Sequence, residues 1–479
     1  MSIRTGEQYK DRINQLRSEI WFDGKPIKNT ISDHPAFKGV IKTQSTLYDL
    51  QHDEALLNTM TYELPSTKER IGTSFLIPKS VEDLKKRRLA TQQWAKVSGG
   101  MLGRSPDYMN TVLTAFAASK ELLKDKENCF PNHLESFYNY ARKNDLCLTH
   151  TFINPQVNRS QLHIEDPDEI IAAQIVNKNK KGLVIKGARL LATQGGITDE
   201  ILVFSSSSVN PANAFGFAIP SNTKGLKFIC RESFSYKNST FDYPLSARFE
   251  ENDAIVVFDD VLVPWDRVFY YENLDVSNQM FSDSLFIPLT LHQVISRQVV
   301  KTEFILGVVQ SIVDTINISE YQHVKEKVSE IIIALETLKA LLIASEEGAV
   351  ETNSGVIVPD HYPLYSAINT FPKLYPRFTD IIQLLGASGM ITLPTEEAFH
   401  SEVSEDIKHY LQGATKPAEE RVKLFRLAWD LCMSAFGTRQ TLYERFFFGD
   451  PIRLSQSLYQ IYNREAAVQS VHDFLNIKH

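Results

Sequence analysis

Several short stretches of this 479-residue chain carry side chains suited to chemistry. In Gly103–Tyr108 (GRSPDY), Ser105 suits a helix N-cap, Pro106 the first helical position, and Asp107 the positive end of the helix dipole. Arg104 then lies just outside the helix and Tyr108 in its first turn. A guanidinium, a phenol and free backbone N–H groups converge there on a volume suited to an anion, such as a phenolate or a peroxide oxygen. The same hexapeptide also suits an ordinary capped helix beside a surface arginine. In Leu148–Ser160 (LTHTFINPQVNRS), His150 stands in an alternating strand pattern that Asn154-Pro155 end, and Gln156, Asn158 and Arg159 follow. Imidazole titrates near neutrality and serves as a general acid or base. A hydrogen-bonded structural histidine reads the same way. Amides and a guanidinium suit a ring edge or a pyrophosphate.

Weaker signals lie further on. Thr193 and Ser205-Ser206 fall in a stretch patterned as sheet, where hydroxyls are common anyway. Gln383–Met390 (QLLGASGM) places a Gly-x-x-Gly break between helices, suited to a close backbone approach to phosphate or to a tight helix connection. Gly437–Gln440 (GTRQ) brings Arg439 and Gln440 to the end of a helix.

Three textures must position these groups. Residues up to about 145 read as helices joined by polar loops, the clearest spanning Asp107–Leu123. From about 150 to 270 come short apolar runs divided by Gly, Asn, Pro and Ser, which suggest a meander or small barrel. The run Asp253–Trp265 reads as its final strand, leaving the sheet at Pro264. Beyond about 275 the pattern is helical again, and Arg421–Phe436 carries two apolar stripes, as a helix buried on two sides does. The corresponding domains are 1–147 (mainly α), 148–275 (β) and 276–479 (helical bundle), an α+β chain.

Composition narrows the function. The formal charge of −7 argues against nucleic acid as the main partner. The four cysteines show no CxxC spacing, so neither a structural zinc site nor any other metal site is expected. The charged N-terminus lacks a signal-peptide core, and the longest apolar run, Ile331–Ile343, is interrupted by Glu336 and Lys339, so a cytoplasmic location is expected. A Rossmann GxGxxG after a strand, HExxH and GxSxG are absent; Gly182 and Gly187 have P-loop spacing, but Ala188-Arg189 follow in place of Lys and Ser/Thr.

Taken together, SEIWFDGKPI (18–27), HPAFKG (34–39), LYDLQHD (47–53), RSPDY (104–108), THTFINPQVNRS (149–160), LATQGG (191–196), VFDDVLVPWDRVF (257–269) and ERVKLFRLAWDL (420–431) carry a resemblance over essentially the whole chain. The chain resembles the two-component flavin-dependent aromatic hydroxylases of the 4-hydroxyphenylacetate 3-monooxygenase type. The resemblance implies an acyl-CoA dehydrogenase-like fold: an N-terminal α domain, a middle antiparallel β-barrel-like domain and a C-terminal four-helix bundle, assembled as a homotetramer. It implies FADH2 delivered by a separate NADH-dependent reductase, through free diffusion, with O2 as co-substrate. A flavin C4a-hydroperoxide would then hydroxylate a phenol ortho to its hydroxyl, 4-hydroxyphenylacetate first among substrates.

The same resemblance assigns roles to residues. Arg104, Tyr108 and His150 are catalytic; Gln156, Val157, Asn158, Arg159, Thr193, Gly437, Thr438, Arg439 and Gln440 bind FAD. Ser105, Pro106, Asp107, Ser205 and Ser206 join the catalytic three around the substrate, the last two at its carboxylate. The alternatives are another phenol or chlorophenol hydroxylase, an acyl-CoA dehydrogenase, or a flavin-binding oligomer without turnover. A 4-hydroxybutyryl-CoA dehydratase-like enzyme would need clustered Cys and His ligands, which the scattered cysteines and His292 do not offer.

Overall fold

The computed structural model describes residues 3–155, 170–205, 208–235 and 237–477. The expected sites Gln156, Val157, Asn158, Arg159 and Ser206 lie outside these described residues.

The chain runs helical, then sheet, then helical, with one exchange between the layers. The strand Glu19–Phe22 leaves the N-terminal helices and pairs in parallel with Leu226–Cys230. It thereby joins a six-stranded sheet in which Leu226–Cys230, Asp253–Pro264, Gly182–Thr193 and Gln174–Asn179 lie side by side. The N-terminal segment is therefore not purely helical, as its texture suggested. A four-residue run too short to show periodicity is settled by the sheet edge it meets.

A separate four-stranded sheet holds Leu148–Thr151, Glu200–Phe204, Phe215–Pro220 and Val268–Tyr271. The first two pair in parallel, setting His150 opposite Leu202. The strand Asp253–Pro264 does end at Pro264, but it is not the last: after the turn Trp265–Arg267 the chain enters the second sheet at Val268.

The helix Pro106–Ala118 is shorter than expected, since Lys120–Leu123 tightens into a separate 3-10 turn. It is buried on all sides, between the long helix Phe286–Thr315, the turn Thr73–Phe75 and the strand Leu148–Thr151. Three of its polar residues are bonded within the protein. Arg87 Nη2 donates to Thr111 Oγ1 at 2.8 Å, Asn110 Nδ2 to Ser74 Oγ at 3.0 Å, and Thr114 Oγ1 to the Asn110 carbonyl at 2.7 Å. The Asn110 Oδ1 stays buried without a partner among the described residues.

The C-terminal helices Phe286–Thr315, Gln322–Glu347 and His361–Gly386 pack on one another and on Ala418–Cys432 and Ala435–Phe446. The single doubly apolar helix expected over Arg421–Phe436 is in fact two helices that break at Met433-Ser434. Ser434 Oγ accepts from Gly437 N at 3.1 Å and so starts the second helix, while donating to the Asp430 carboxylate at 2.8 Å. Asp430 in turn accepts from the backbone N–H groups of Leu245 and Ser246, both at 2.8 Å, fastening the bundle to the middle layer. The break places GTRQ in the first turn of a helix rather than at the close of one. Among the described residues, no helix is long and apolar enough to cross a membrane.

Candidate active site

The Gly103-Arg104 backbone is held from below by one buried carboxylate. Glu251 accepts from Gly103 N at 2.7 Å and from Arg104 N at 2.6 Å. The Arg104 carbonyl receives the side-chain amides of Gln44 at 3.2 Å and Gln194 at 3.0 Å. Ser105 occupies the N-cap position, yet its hydroxyl does not bond the helix backbone. It donates instead to Asp107 Oδ1 at 2.5 Å, while Gln293 Nε2 donates to Asp107 Oδ2 at 3.0 Å. Asp107 thus spends both oxygens inside the core, where burial raises its pKa.

From this platform the Arg104 guanidinium lies over the Tyr108 ring, 4.2 Å from its centroid. Nη1 donates to the Tyr443 hydroxyl at 2.6 Å. Nε is buried and without a partner. The Tyr108 and His150 rings are 6.0 Å apart, so Arg104, Tyr108 and His150, from a loop, a helix and a strand, border one volume. Neither His150 ring nitrogen has a hydrogen bond among the described residues, and Nδ1 is fully buried. Burial first, and the Arg104 charge second, push the His150 pKa well below 6.5, so the imidazole is neutral. Burial raises the Tyr108 pKa although Arg104 and Arg297 pull against it. For Arg104 itself burial disfavours the charge, but Tyr443, Tyr108 and Glu251 more than offset that and raise its pKa.

Aromatic side chains continue the wall. Phe152 stands edge-on to His150 at 4.1 Å, Phe281 contacts Phe152 at 5.1 Å, and Phe286 contacts Phe281 at 5.1 Å. An aromatic ligand gains area and edge-to-face contacts against such a surface.

The other expected contacts lie in adjoining networks. Thr193 Oγ1 donates to Asp253 Oδ1 at 2.8 Å, and Arg439 reaches the same carboxylate through Nη2 at 2.9 Å and Glu251 through Nη1 at 3.5 Å. Asp253 is held down to about 2: burial alone would raise its pKa, but Arg439 and Arg231 prevail. Gly437 is packed so that a Cβ would meet the Leu431 carbonyl at 2.5 Å, and Thr438 is exposed and bonds only Ser434 O. Gln440 donates to the Met101 carbonyl at 2.9 Å and accepts from Lys301 Nζ at 2.7 Å. Ser205 accepts from Arg189 Nη2 at 2.7 Å and donates to the Asn213 carbonyl. Among the described residues Ser205 has no hydrogen bond to the Arg104 cluster, but a ring contact from Phe204 to Phe152 at 6.1 Å joins their surroundings. His292 is bonded through Nε2 to Glu346 at 2.9 Å. Among the described residues, no group of three or more His, Cys, Asp or Glu could hold a metal ion.

Sequence reasoning did not anticipate Tyr443, Glu251, Gln44 or Gln194. Glu251 was visible as part of an acidic run before an apolar strand, and Gln194 lies within the LATQGG motif; Gln44 and Tyr443 carried no local signal.

Comparison with known proteins agrees with this geometry. Family models described as the N-terminal and C-terminal parts of 4-hydroxyphenylacetate 3-hydroxylase match residues 5–270 and 277–476. A relative from Bacillus subtilis, described as a probable 4-hydroxyphenylacetate 3-monooxygenase, is 57% identical over 99% of both chains. A crystal structure of the oxygenase component of 4-hydroxyphenylacetate 3-monooxygenase, complexed with FAD and 4-hydroxyphenylacetate, superposes with a TM-score of 0.94 at 43% identity, covering 99% of this chain and 98% of that one. Likeness of fold alone extends to an acyl-CoA dehydrogenase from Geobacillus kaustophilus, at 12% identity and a TM-score of 0.54 over 95% of this chain and 97% of that one. Fold and relatives together define a flavin-dependent monooxygenase on an acyl-CoA dehydrogenase-like scaffold. The chain belongs to the 4-hydroxyphenylacetate 3-hydroxylase family.

The residues present fit a flavin and a phenol side by side. A buried guanidinium Nε and a buried imidazole Nδ1, both without partners among the described residues, are costly unless a ligand meets them, and the aromatic side chains beside them suit planar rings.

Proposed function

We propose that this chain is the oxygenase component of a 4-hydroxyphenylacetate 3-monooxygenase. In this reading it takes FAD reduced by a separate NADH-dependent reductase, binds O2, and places a hydroxyl ortho to the phenolic oxygen of 4-hydroxyphenylacetate. The observation that carries it is the convergence of Arg104, Tyr108 and His150, two of them with buried unsatisfied nitrogens, in a chain so similar to a protein solved with that cofactor and substrate.

The reduced flavin, when bound, supplies the electron-rich centre that activates dioxygen for transfer to the ring. FAD would be held by Gln156–Arg159, Thr193 and the Gly437–Gln440 turn; there the Asp253–Arg439 pair fixes the Thr193 hydroxyl. The chain's own work is to bind the phenol, orient it and make its ring electron-rich. A free phenol has a pKa near 10, and burial pushes that of His150 well below its ordinary value, so full transfer of the proton to His150 alone is uphill. The neutral imidazole therefore acts mainly as an acceptor for the phenol O–H. Arg104, charged and stripped of water, supplies the larger share by stabilising negative charge on the phenolic oxygen. The Tyr108 hydroxyl, free of partners among the described residues, is placed to donate to the same oxygen. Ser205 and Ser206 would take the substrate carboxylate.

The test mixes the protein with chemically reduced FAD, O2 and a panel of para-substituted phenols, scoring catechol against hydrogen peroxide. Coupled formation of 3,4-dihydroxyphenylacetate is the expected result. Peroxide alone from every phenol, or bleaching of bound oxidised FAD by an acyl-CoA, would overturn it.

A cytoplasmic homotetramer, with reduced FAD arriving by free diffusion, belongs to the same proposal. Its support is the C-terminal pair of helices Pro451–Ile461 and Glu465–Leu475, which leave Ile452, Tyr459, Val471 and Phe474 exposed, Phe474 at 85%. Apolar faces of this kind need a partner surface. Light scattering of the intact chain should give four subunits; a monomer at micromolar concentration would remove that part.

A further inference from the structure

Arg104 has five N–H donors, and the protein uses only one side of the fork. Nη1 is committed to the Tyr443 hydroxyl at 2.6 Å and to the Gly103 carbonyl at 3.3 Å. Nε is buried and unpartnered, and among the described residues no hydrogen bond engages Nη2. The open edge is the one that grips planar oxygen acceptors. Tyr443 is in turn immobilised: its ring stacks on Phe447 at 4.6 Å and 11°, and Arg297 lies 5.7 Å from its centroid. Gly103 belongs to the same device, because a Cβ there would collide with the Tyr443 hydroxyl.

We propose that Tyr443 is a positioning residue for the substrate oxygen: by pinning Nη1 it holds the guanidinium over Tyr108 with the Nε–Nη2 edge turned to the ligand. This rests on the reading of Arg104 as a substrate contact. Tyr443 brings the C-terminal bundle into the site, although it touches no reacting atom itself.

The experiment measures 4-hydroxyphenylacetate binding calorimetrically, without turnover, in the intact wild type, Tyr443→Phe, Arg104→Ala and the double variant, with thermal unfolding as a control. Tyr443→Phe keeps the stacked ring and removes only the hydroxyl. It is expected to weaken binding about tenfold, the scale of a hydrogen bond to a charged group, while the chain stays folded with a melting temperature lowered by a few degrees at most. In the Arg104→Ala background it should add nothing, since its effect passes through the guanidinium. Gly103→Ala, which displaces the hydroxyl sterically, should weaken binding in the same direction. If Arg104→Ala weakens binding while Tyr443→Phe binds as wild type, or if Tyr443→Phe loses as much without Arg104 as with it, the positioning role falls alone. If Arg104→Ala binds as wild type, the reading of the site falls too.

Discussion

Two buried arginines flank Tyr443, and the difference between them separates scaffold from site. Arg297 is satisfied: it donates to the Gly100 carbonyl at 2.8 Å and to both oxygens of Glu444, at 2.8 and 3.2 Å. Lys301 completes the cluster, with Nζ at 2.8 Å from Glu444 and 4.4 Å from the Tyr375 ring centroid. Among the described residues, Arg104 has no carboxylate on its guanidinium and keeps a buried Nε unpaired. A buried charge paired with a carboxylate holds helices together; one left without such a partner stores binding energy for whatever completes it.

The sharpest way to break this comparison is to damage the satisfied side. Glu444→Gln strands Arg297 and Lys301 as uncompensated buried charges, and should cost about 3–5 kcal/mol in urea denaturation. A loss under about 1 kcal/mol would mean that the cluster is not the scaffold it resembles.

On the incomplete side the expected loss is in rate instead. His150→Ala should slow hydroxylation about 100-fold or divert turnover to peroxide, while moving the denaturation midpoint far less than Glu444→Gln does. Wild-type coupling and rate in that variant would take His150 out of the mechanism.

Acid discriminates the two regions further. Glu444 and Asp253 sit at about 2 in the fold, against 4.5 and 3.8 ordinarily, because their cationic neighbours outweigh burial. A lowered carboxylate pKa stabilises the fold at higher pH, and that contribution is lost as pH falls from about 4.5 toward 2. The two groups should account for about 2–3 kcal/mol each. Denaturation followed across that window should show a flatter acid slope in Glu444→Gln.

The smallest effect concerns His150, whose pKa is depressed. Its protonation opposes folding, and any destabilisation from it begins only below pH 6.5. Its imidazole resonances should not titrate between pH 8 and 6.5; a midpoint inside that range would remove the neutral-acceptor role.

Much of the local structure of the candidate site was legible because its pieces are local. RSPDY encodes a helix start through Pro106 and the N-cap position of Ser105, and the alternation around His150 encodes a strand; both form there. What the motif could not show is that Ser105 bonds the Asp107 carboxylate instead of the backbone, since that depends on Gln293 arriving from another helix. The break at Met433-Ser434 was hidden because two apolar stripes run unbroken through it in the sequence. It is made by Asp430, which reaches across to Leu245 and Ser246.

The linear sequence thus determined the alternation of helical and sheet-forming stretches, the start of the helix below Arg104 and the chemical character of the catalytic candidates, all consequences of short-range periodicity and backbone preference. Tertiary structure alone decided which partners complete them. Tyr443 reaches Arg104 across 339 positions and Glu251 reaches its backbone across 147. Whether a buried donor ends up satisfied or open to a ligand depends on what packing brings within about 3 Å, and no pattern of neighbours along the chain encodes that distance.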